Sequence, residues 1–287
     1  MEIGIGLPAT IPGVKGQLVL DWARKADAGP FSSLGMLDRI VFPNYEPLAT
    51  LAAAAAVTQR ARLVTTVLIA TLRNAGVLAK QAATIDALSN GRLTLGLGVG
   101  AREDDFRAAP AQFRNRGKHF EEQLTLMKRI WSGQAVDEGV GTVGPPPVQQ
   151  GGPELLIGGY TPAAAQRAGR WGDGFIAGGA APEFVLRLYR IAEESWKAAG
   201  RTGKPRFVTC MYFGLGPDAA ERAGAYIRTY YGFMGPAAED RARAIPSTPE
   251  AVKQTIENFI DIGADELILW PCIPDLEQVD LAAELIS

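Results

Sequence analysis

Between Val77 and Ala101 the chain reads VLAKQAATIDALSNGRLTLGLGVGA, and the spacing of its apolar positions changes halfway along. Leu78, Ile85 and Leu88, with Ala82 between them, fall on one face of a helix. Asn90-Gly91 supplies residues that tolerate a left-handed turn and ends that helix. From Leu93 to Val99 the only polar side chain is the short Thr94. A strand that apolar is covered on both faces, as in a parallel sheet with helices around it.

The same alternation recurs along the chain. The pattern predicts strands at Ile3 to Leu7, Ser33 to Leu37, Arg62 to Leu68, Leu93 to Val99, Glu154 to Ile157, Gly174 to Ala177, Phe207 to Leu215 and Glu266 to Trp270. Helices are predicted at Gln17 to Ala28, Glu46 to Thr58, Asn74 to Leu88, around Phe120, Leu124, Met127 and Trp131, then at Pro162 to Ala168, Pro182 to Ala199, Asp218 to Tyr231, Pro249 to Ile262 and Leu276 to Ile286. Strands alternating with helices over 287 residues predict an α/β protein, a single (β/α)8 TIM-type barrel filling residues 1–287 as one domain. Two irregular insertions interrupt it. Gln134 to Pro153, rich in Gly and Pro, follows strand four and its helix, and Gly232 to Pro246 follows helix seven as a candidate lid. Arg102 to Asp105 follows strand four as a loop, and Glu103, Asp104 and Asp105 read as helix-start carboxylates rather than as a catalytic acid.

Composition removes several function classes. A hydrophobic content of 47% suffices for one large core. A formal net charge of -2, without a long Lys/Arg cluster, leaves no footprint for nucleic acid or an anionic membrane. Cys210 and Cys272 are too few for a disulfide scaffold and fit no zinc pattern, which points to a reduced, cytoplasmic protein. The N-terminus lacks a basic segment and reads as a strand, not a signal peptide. The longest apolar stretch, Leu48 to Val57, is mostly alanine and far short of a membrane span.

In such a barrel, chemistry belongs at the C-terminal strand ends. These carry Asp38-Arg39, the Thr65 to Thr71 region, Gly98 to Arg102, Gly158 to Thr161, Gly178-Gly179, Tyr212 and Trp270. The only histidine, His119, lies in a predicted helix, which excludes a multi-histidine metal site and argues against a Ser/His/Asp triad. No G-x-S-x-G occurs and the confident strands carry no lysine for a Schiff base. Gly96, Gly98 and Gly100 make only a G-x-G-x-G without a helix start behind it, which is a poor dinucleotide fingerprint and reads as close packing. Gly158-Gly159-Tyr160-Thr161-Pro162 is more specific, because glycines after a strand and a proline at a helix start expose backbone N–H groups to an anion. A plain βα turn is the alternative.

In order along the chain, these pieces resemble the bacterial-luciferase-like flavin oxidoreductases, TIM barrels that use FMN or the deazaflavin F420. The resemblance rests on Ile3-Gly4-Ile5 with Leu7-Pro8; Leu37-Asp38-Arg39 ahead of Pro47-Leu48; Leu72-Arg73-Asn74 before Leu78-Ala79-Lys80; and Ala83 to Asp86 before Leu88 to Arg92. It continues through Leu95 to Gly100, Ile157-Gly158-Gly159, Ala168-Gly169, Gly172 to Phe175, Thr248-Pro249-Glu250 and Gly263 to Leu267, covering nearly the whole chain.

The resemblance implies that Asp38 and Arg39 lie near the flavin ring as catalytic residues. It implies a cis peptide around Thr65 and Thr66 against the ring's face. Val99, Gly100 and Ala101 would border the ring and ribityl chain, Gly158, Gly159, Tyr160 and Thr161 would hold the phosphate, and Gly178-Gly179 would close the pocket. The sequence also departs from the family. F420-dependent sugar dehydrogenases carry a histidine where Arg39 stands and a glutamate where Ala101 stands, and a positioned acid or base is worth roughly 10² to 10⁴ in rate.

That departure favours a monooxygenase using reduced FMN and O2 on a small organic substrate, with a separate flavin reductase as partner. The alternative is hydride transfer from reduced F420, with Arg39 polarising the acceptor and Arg73, Arg102 and Lys80 meeting the acidic tail. Remoter readings are a flavin-binding protein without turnover and a phosphate-handling lyase or isomerase with Asp38 as base. Phe106, Phe113, Tyr160, Tyr212, Phe233, Met234 and Trp270 are candidates for an apolar substrate pocket. The alanine-rich second helix allows the close approach of a homodimer interface, which relatives commonly form, though its packing on the barrel explains the same composition.

Overall fold

The protein, represented by a computed structural model, is described over residues 1–286. Its strands are β1 (Glu2–Gly6), β2 (Ser33–Met36), β3 (Arg62–Thr65), β4 (Leu68–Ile69), β5 (Leu93–Gly98), β6 (Glu154–Gly158), β7 (Gly174–Gly178), β8 (Arg206–Phe213) and β9 (Glu266–Pro271). The helices are α1 (Gly16–Ala28), α2 (Pro47–Val57), α3 (Ala75–Leu88), α4 (Glu103–Ala108), α5 (Arg116–Trp131), α6 (Pro162–Trp171), α7 (Pro182–Ala198), α8 (Ala219–Tyr230), α9 (Ala237–Arg243), α10 (Pro249–Asp261) and α11 (Glu277–Ile286). All strand pairings are parallel, in the order β3-β2-β1-β9-β8-β7-β6-β5, and β5 closes the ring onto both β3 and β4. This is the eight-stranded (β/α)8 barrel the pattern predicts, with strand bounds shifted by one or two residues.

Strand three differs from expectation. Arg62 to Leu68 reads as one strand, but the chain divides it into β3 and β4 around Thr66-Val67, whose peptide bond is cis. Gly96 of β5 explains how the break fits. A Cβ there would stand 2.0 Å from the carbonyl oxygen of Thr65, and Thr65 Oγ1 donates to Gly96 O at 2.7 Å. The missing side chain lets β3 press directly onto β5.

One reading is borne out and one irregular segment is partly helical. Glu103, Asp104 and Asp105 form the first turn of α4, where carboxylates meet the positive end of the helix. Asp105 is fully buried and accepts from the backbone N–H of Ile40 and Val41 at 3.0 and 2.7 Å. The candidate lid contains a 3-10 turn at Gly232–Met234 and then α9, with acids in its first turn and Arg241 and Arg243 in its last. Gln134 to Pro153 is irregular as expected, and buried Asp86 ties it down by accepting from the N–H of Val148 and Gln149.

Helix starts follow their signals. Glu46, Asn74, Thr161 and Thr248 accept from the N–H three residues on, and Pro47, Pro162 and Pro249 occupy first helical positions. α2 buries Leu48, Leu51, Ala54 and Ala55 against the barrel and turns Ala49, Ala53 and Ala56 outward. Within the ring, Val64, Leu156, Ile176, Val208, Ile268 and Trp270 form one buried cluster. Gly6 makes room for the Trp270 indole, since a Cβ there would lie 2.5 Å from its Cε3.

Below the cluster, at the N-terminal strand ends, Arg206 bridges Glu154 at 2.8 Å and Glu266 at 2.7 Å, and Ser32 and Ser33 donate to Glu266 Oε1. Among the described residues, no helix is long and apolar enough to cross a membrane.

Asp27 joins α1 to the approach of β3 by accepting from the N–H of Gln59, Arg60 and Ala61. Burial works to raise its pKa, but these backbone bonds and the Arg60 charge outweigh it and hold the group below the ordinary 3.8. A depressed carboxyl contributes stability that is complete above the unfolded value and lost as pH falls through the folded one. Urea melts between pH 5 and 2 should therefore show wild type losing stability below about pH 3.8, with a flatter acid limb for Asp27→Asn. Identical acid limbs would remove this role.

Candidate active site

The C-terminal mouth holds two neighbouring cavities. An axial one of about 100 Å³ is floored by Trp270 and walled by Leu37, Thr66, Val67, Gly159, Tyr160, Ile176, Gly178, Gly179, Cys210, Tyr212 and Tyr231, with no charged side chain in its lining. An outer one of about 440 Å³ is lined by Asp38, Arg39, Ile69, Ala101, Arg102, the α4 carboxylates, Tyr230, Tyr231 and Phe233. Tyr231 belongs to both, so it is the partition. Binding pockets usually span about 300–1,000 Å³. The axial cavity alone is therefore below that range, and the two joined fall within it.

The predicted site residues divide between these spaces. Thr66, Gly159, Tyr160, Gly178 and Gly179 meet at the axial cavity, and Asp38, Arg39 and Ala101 at the outer one. Thr65, Val99 and Gly100, expected at the cofactor, line neither cavity and belong to the barrel's own packing: Thr65 Oγ1 donates to Gly96 O, Val99 O accepts from Thr71 Oγ1 at 2.9 Å, and Gly100 O from Arg116 Nε at 2.9 Å. Gly158 abuts the cis segment, because a Cβ there would lie 2.6 Å from Val67 Cγ1. Thr161 caps α6 through Ala164 N. The N–H groups of Gly159, Tyr160 and Thr161 donate to no backbone or side-chain acceptor among the described residues, which leaves three consecutive donors at a helix start. The Tyr160 ring is half exposed, while its hydroxyl reaches in and donates to Gly178 O at 2.5 Å.

Asp38 and Arg39 do not pair with each other. Asp38 is buried, its Oδ2 accepts from Ile69 N at 2.8 Å and from Arg73 Nη1 at 2.6 Å, and Arg73 also holds Glu46 at 3.0 Å. Burial, opposed by the Arg73 charge, raises the carboxyl above its ordinary pKa. With both oxygens engaged and Arg73 also tied to Glu46, neither Asp38 nor Arg73 is free to meet a ligand; Lys80 is likewise engaged, on Gly144 O.

Arg39 donates to the carbonyls of Tyr230 and Val41, and its guanidinium lies 4.4 Å from the centre of the Phe42 ring and 5.0 Å from that of Tyr230. Burial and then the nearby Arg102 lower its pKa from the arginine value. Arg102 is bound to Asp104 and stacks on Phe233. Burial pushes the Cys210 thiol up to about 12, so it is neutral at physiological pH. His119 is exposed on α5 beside Glu122.

Sequence reasoning missed Leu37, Val67, Tyr231 and Arg241. Tyr231 reads only as a helix end, yet its hydroxyl lies 2.9 Å from that of Tyr212 and its ring packs on Tyr230 and Phe233. Of the aromatic candidates, Tyr160, Tyr212 and Trp270 face the axial cavity and Phe233 the outer one. Phe106 is core against Phe113, and Met234 is exposed.

A parallel barrel with a broken third strand and a glycine turn at its C-terminal mouth defines a (β/α)8 enzyme scaffold. The chain belongs to the luciferase-like monooxygenase family, whose model matches residues 1–265. It is 32% identical over 193 residues to an F420-dependent glucose-6-phosphate dehydrogenase of Nocardia farcinica, a match covering 63% of this chain and 53% of that relative's length. The chain thus spans about half of that curated relative. The fold is shared with monooxygenase RslO1 from Streptomyces bottropensis, at TM-score 0.80 and 23% identity over 100% of this chain and 97% of that one. It is shared also with an F420-dependent secondary alcohol dehydrogenase in complex with an F420-acetone adduct, at TM-score 0.83 and 19% identity over 99% and 97%.

Proposed function

We propose that this protein is a flavin-dependent monooxygenase that uses reduced FMN and O2 on a small organic substrate, with a separate reductase supplying the reduced cofactor. One observation supports the choice of chemistry: the axial cavity contains no charged side chain, so it offers little acid-base help and suits a reaction whose chemistry the cofactor carries. The residues fit the cofactor. The buried Thr66 Oγ1 has no hydrogen-bond partner among the described residues and stands at the cavity wall, and the glycine turn keeps its N–H groups free. Reduced FMN, when bound, supplies the electrons with which O2 is activated.

The chain's own contribution is binding and exclusion of water. Gly159, Tyr160 and Thr161 would hold the phosphate, Gly178-Gly179 would border it, and Val67 and Trp270 would flank the ring. Tyr212 and Tyr231 are kept neutral by burial and close the space from solvent. The flavin would need the joined cavities, and the small organic substrate would sit at their outer end, beside Arg39 and Phe233.

Hydride transfer from reduced F420 is the second reading. It is favoured by the F420-dependent relatives and by Arg39, which faces the outer cavity with no carboxylate within ion-pair distance among the described residues and is suited to polarise an acceptor. Anisotropy titrations with FMN and F420 separate the two. The first reading expects tight FMN binding, its loss in Gly159→Asp, and oxygen uptake with reduced FMN. Preference for F420 would replace it by the second, and binding of neither would sink both.

A further inference from the structure

Arg241 stands in the last turn of α9 and donates through Nη1 to the carbonyl of Gly179 at 2.7 Å. Its guanidinium carbon lies 4.7 Å from the centre of the Tyr231 ring. No carboxylate lies within ion-pair distance of it among the described residues, although neighbouring Arg228 and Arg243 both hold Glu239. Arg241 also lines a third cavity, of about 360 Å³, that shares Gly179 and Tyr212 with the axial one.

The glycine turn beside the axial cavity lacks this charge. A phosphate monoester carries about −1.5 to −2 at neutral pH, while a helix N-terminus presents only about half a positive charge. Free N–H groups at Gly159, Tyr160 and Thr161 therefore leave roughly one charge uncompensated. Arg116, the other arginine bonded to a predicted cofactor loop, is held by Gly100 O, Phe113 O and the Phe113 ring and lines neither mouth cavity.

We propose that Arg241 recognises the phosphate of the cofactor. In doing so it exchanges the Gly179 carbonyl for a phosphate oxygen and fastens α9 over the mouth. Arg241 is thus the residue that distinguishes a phosphorylated flavin from its dephosphorylated form. This inference rests on the flavin reading given above.

The test compares Kd for FMN and for riboflavin in wild type, Arg241→Ala, Arg241→Lys and Arg228→Ala, by fluorescence quenching. Arg228 serves as the control because it anchors α9 through Glu239 without facing the cavities. Wild type is expected to prefer FMN, and Arg241→Ala to lose about 10- to 100-fold of that preference. Arg241→Lys should recover part of the preference, and Arg228→Ala should weaken both ligands alike. Retained riboflavin binding shows that the Arg241 variants keep a folded mouth.

An unchanged FMN-to-riboflavin ratio in Arg241→Ala, with wild type binding FMN, overturns the role of Arg241 and leaves the flavin reading standing. Should F420 be the ligand bound, the same ratio is measured between F420 and its dephosphorylated deazaflavin. Wild type that binds no flavin or deazaflavin removes the reading and this role together.

Discussion

Replacing Asp38 with alanine is expected to lower the unfolding free energy by about 3 to 5 kcal/mol, the usual cost of breaking a buried pair on one side. The carboxylate is almost wholly buried, so its loss leaves the Arg73 guanidinium and the Ile69 N–H without their partner. Glu46 compensates weakly because its side chain is half exposed. The effect should appear as a drop of about 10 °C in the melting temperature.

Asp38→Asn, which keeps an acceptor for Ile69 N, should lose less. A catalytic base would behave in the opposite way, with near-normal melting and turnover down roughly 10² to 10⁴ in the asparagine variant. Normal melting of Asp38→Ala would end the structural account of this residue and return it to the chemistry.

The second large effect lies at the opposite end of the barrel. Glu266→Ala removes the acceptor of Ser32 and Ser33 and one of the carboxylates holding Arg206, and should also cost about 3 to 5 kcal/mol. Conservation of function is the contrast to look for. The N-terminal strand ends of such barrels serve stability and the C-terminal ends serve chemistry, so folded Glu266→Ala should retain wild-type flavin affinity at low temperature. Because the two sites are far apart and share no partner, the double variant should lose the sum of the single losses. Flavin affinity that falls with Glu266→Ala in protein still folded would contradict this division of labour.

The barrel itself is legible in the chain, and for reasons that are local. The fully buried β5 announces itself as an apolar run ending in glycine, and Pro-initiated helices with a side-chain cap at Thr161 or Thr248 carry their start signals within four residues. The glycine turn after β6 is legible for the same reason, since the strand end, free N–H groups and helix start are all contiguous. The cis peptide in strand three is accessible only through the family resemblance, and the division into β3 and β4 not at all, because Arg62 to Leu68 has an unbroken strand pattern and Gly96, which makes room for the break, belongs to another strand. Only the acidic start of α4 is legible, and α9 escapes, because both helices are short, polar and stabilised by charges at their ends.

What the sequence determines by itself is therefore the order of strands and helices, the closed barrel that their alternation requires, and the membership of the glycine turn among the mouth residues. Tertiary structure alone decides which charges are spent and which are free. Asp38 finds Arg73, 35 positions away, and Arg241 finds the carbonyl of Gly179, 62 positions away. Tyr231 becomes a partition only because the ring of strands brings α8 over the axis. Hydrophobic periodicity is a short-range property of the chain, whereas the pairing of buried charges depends on which distant groups arrive within about 4 Å once the barrel has closed.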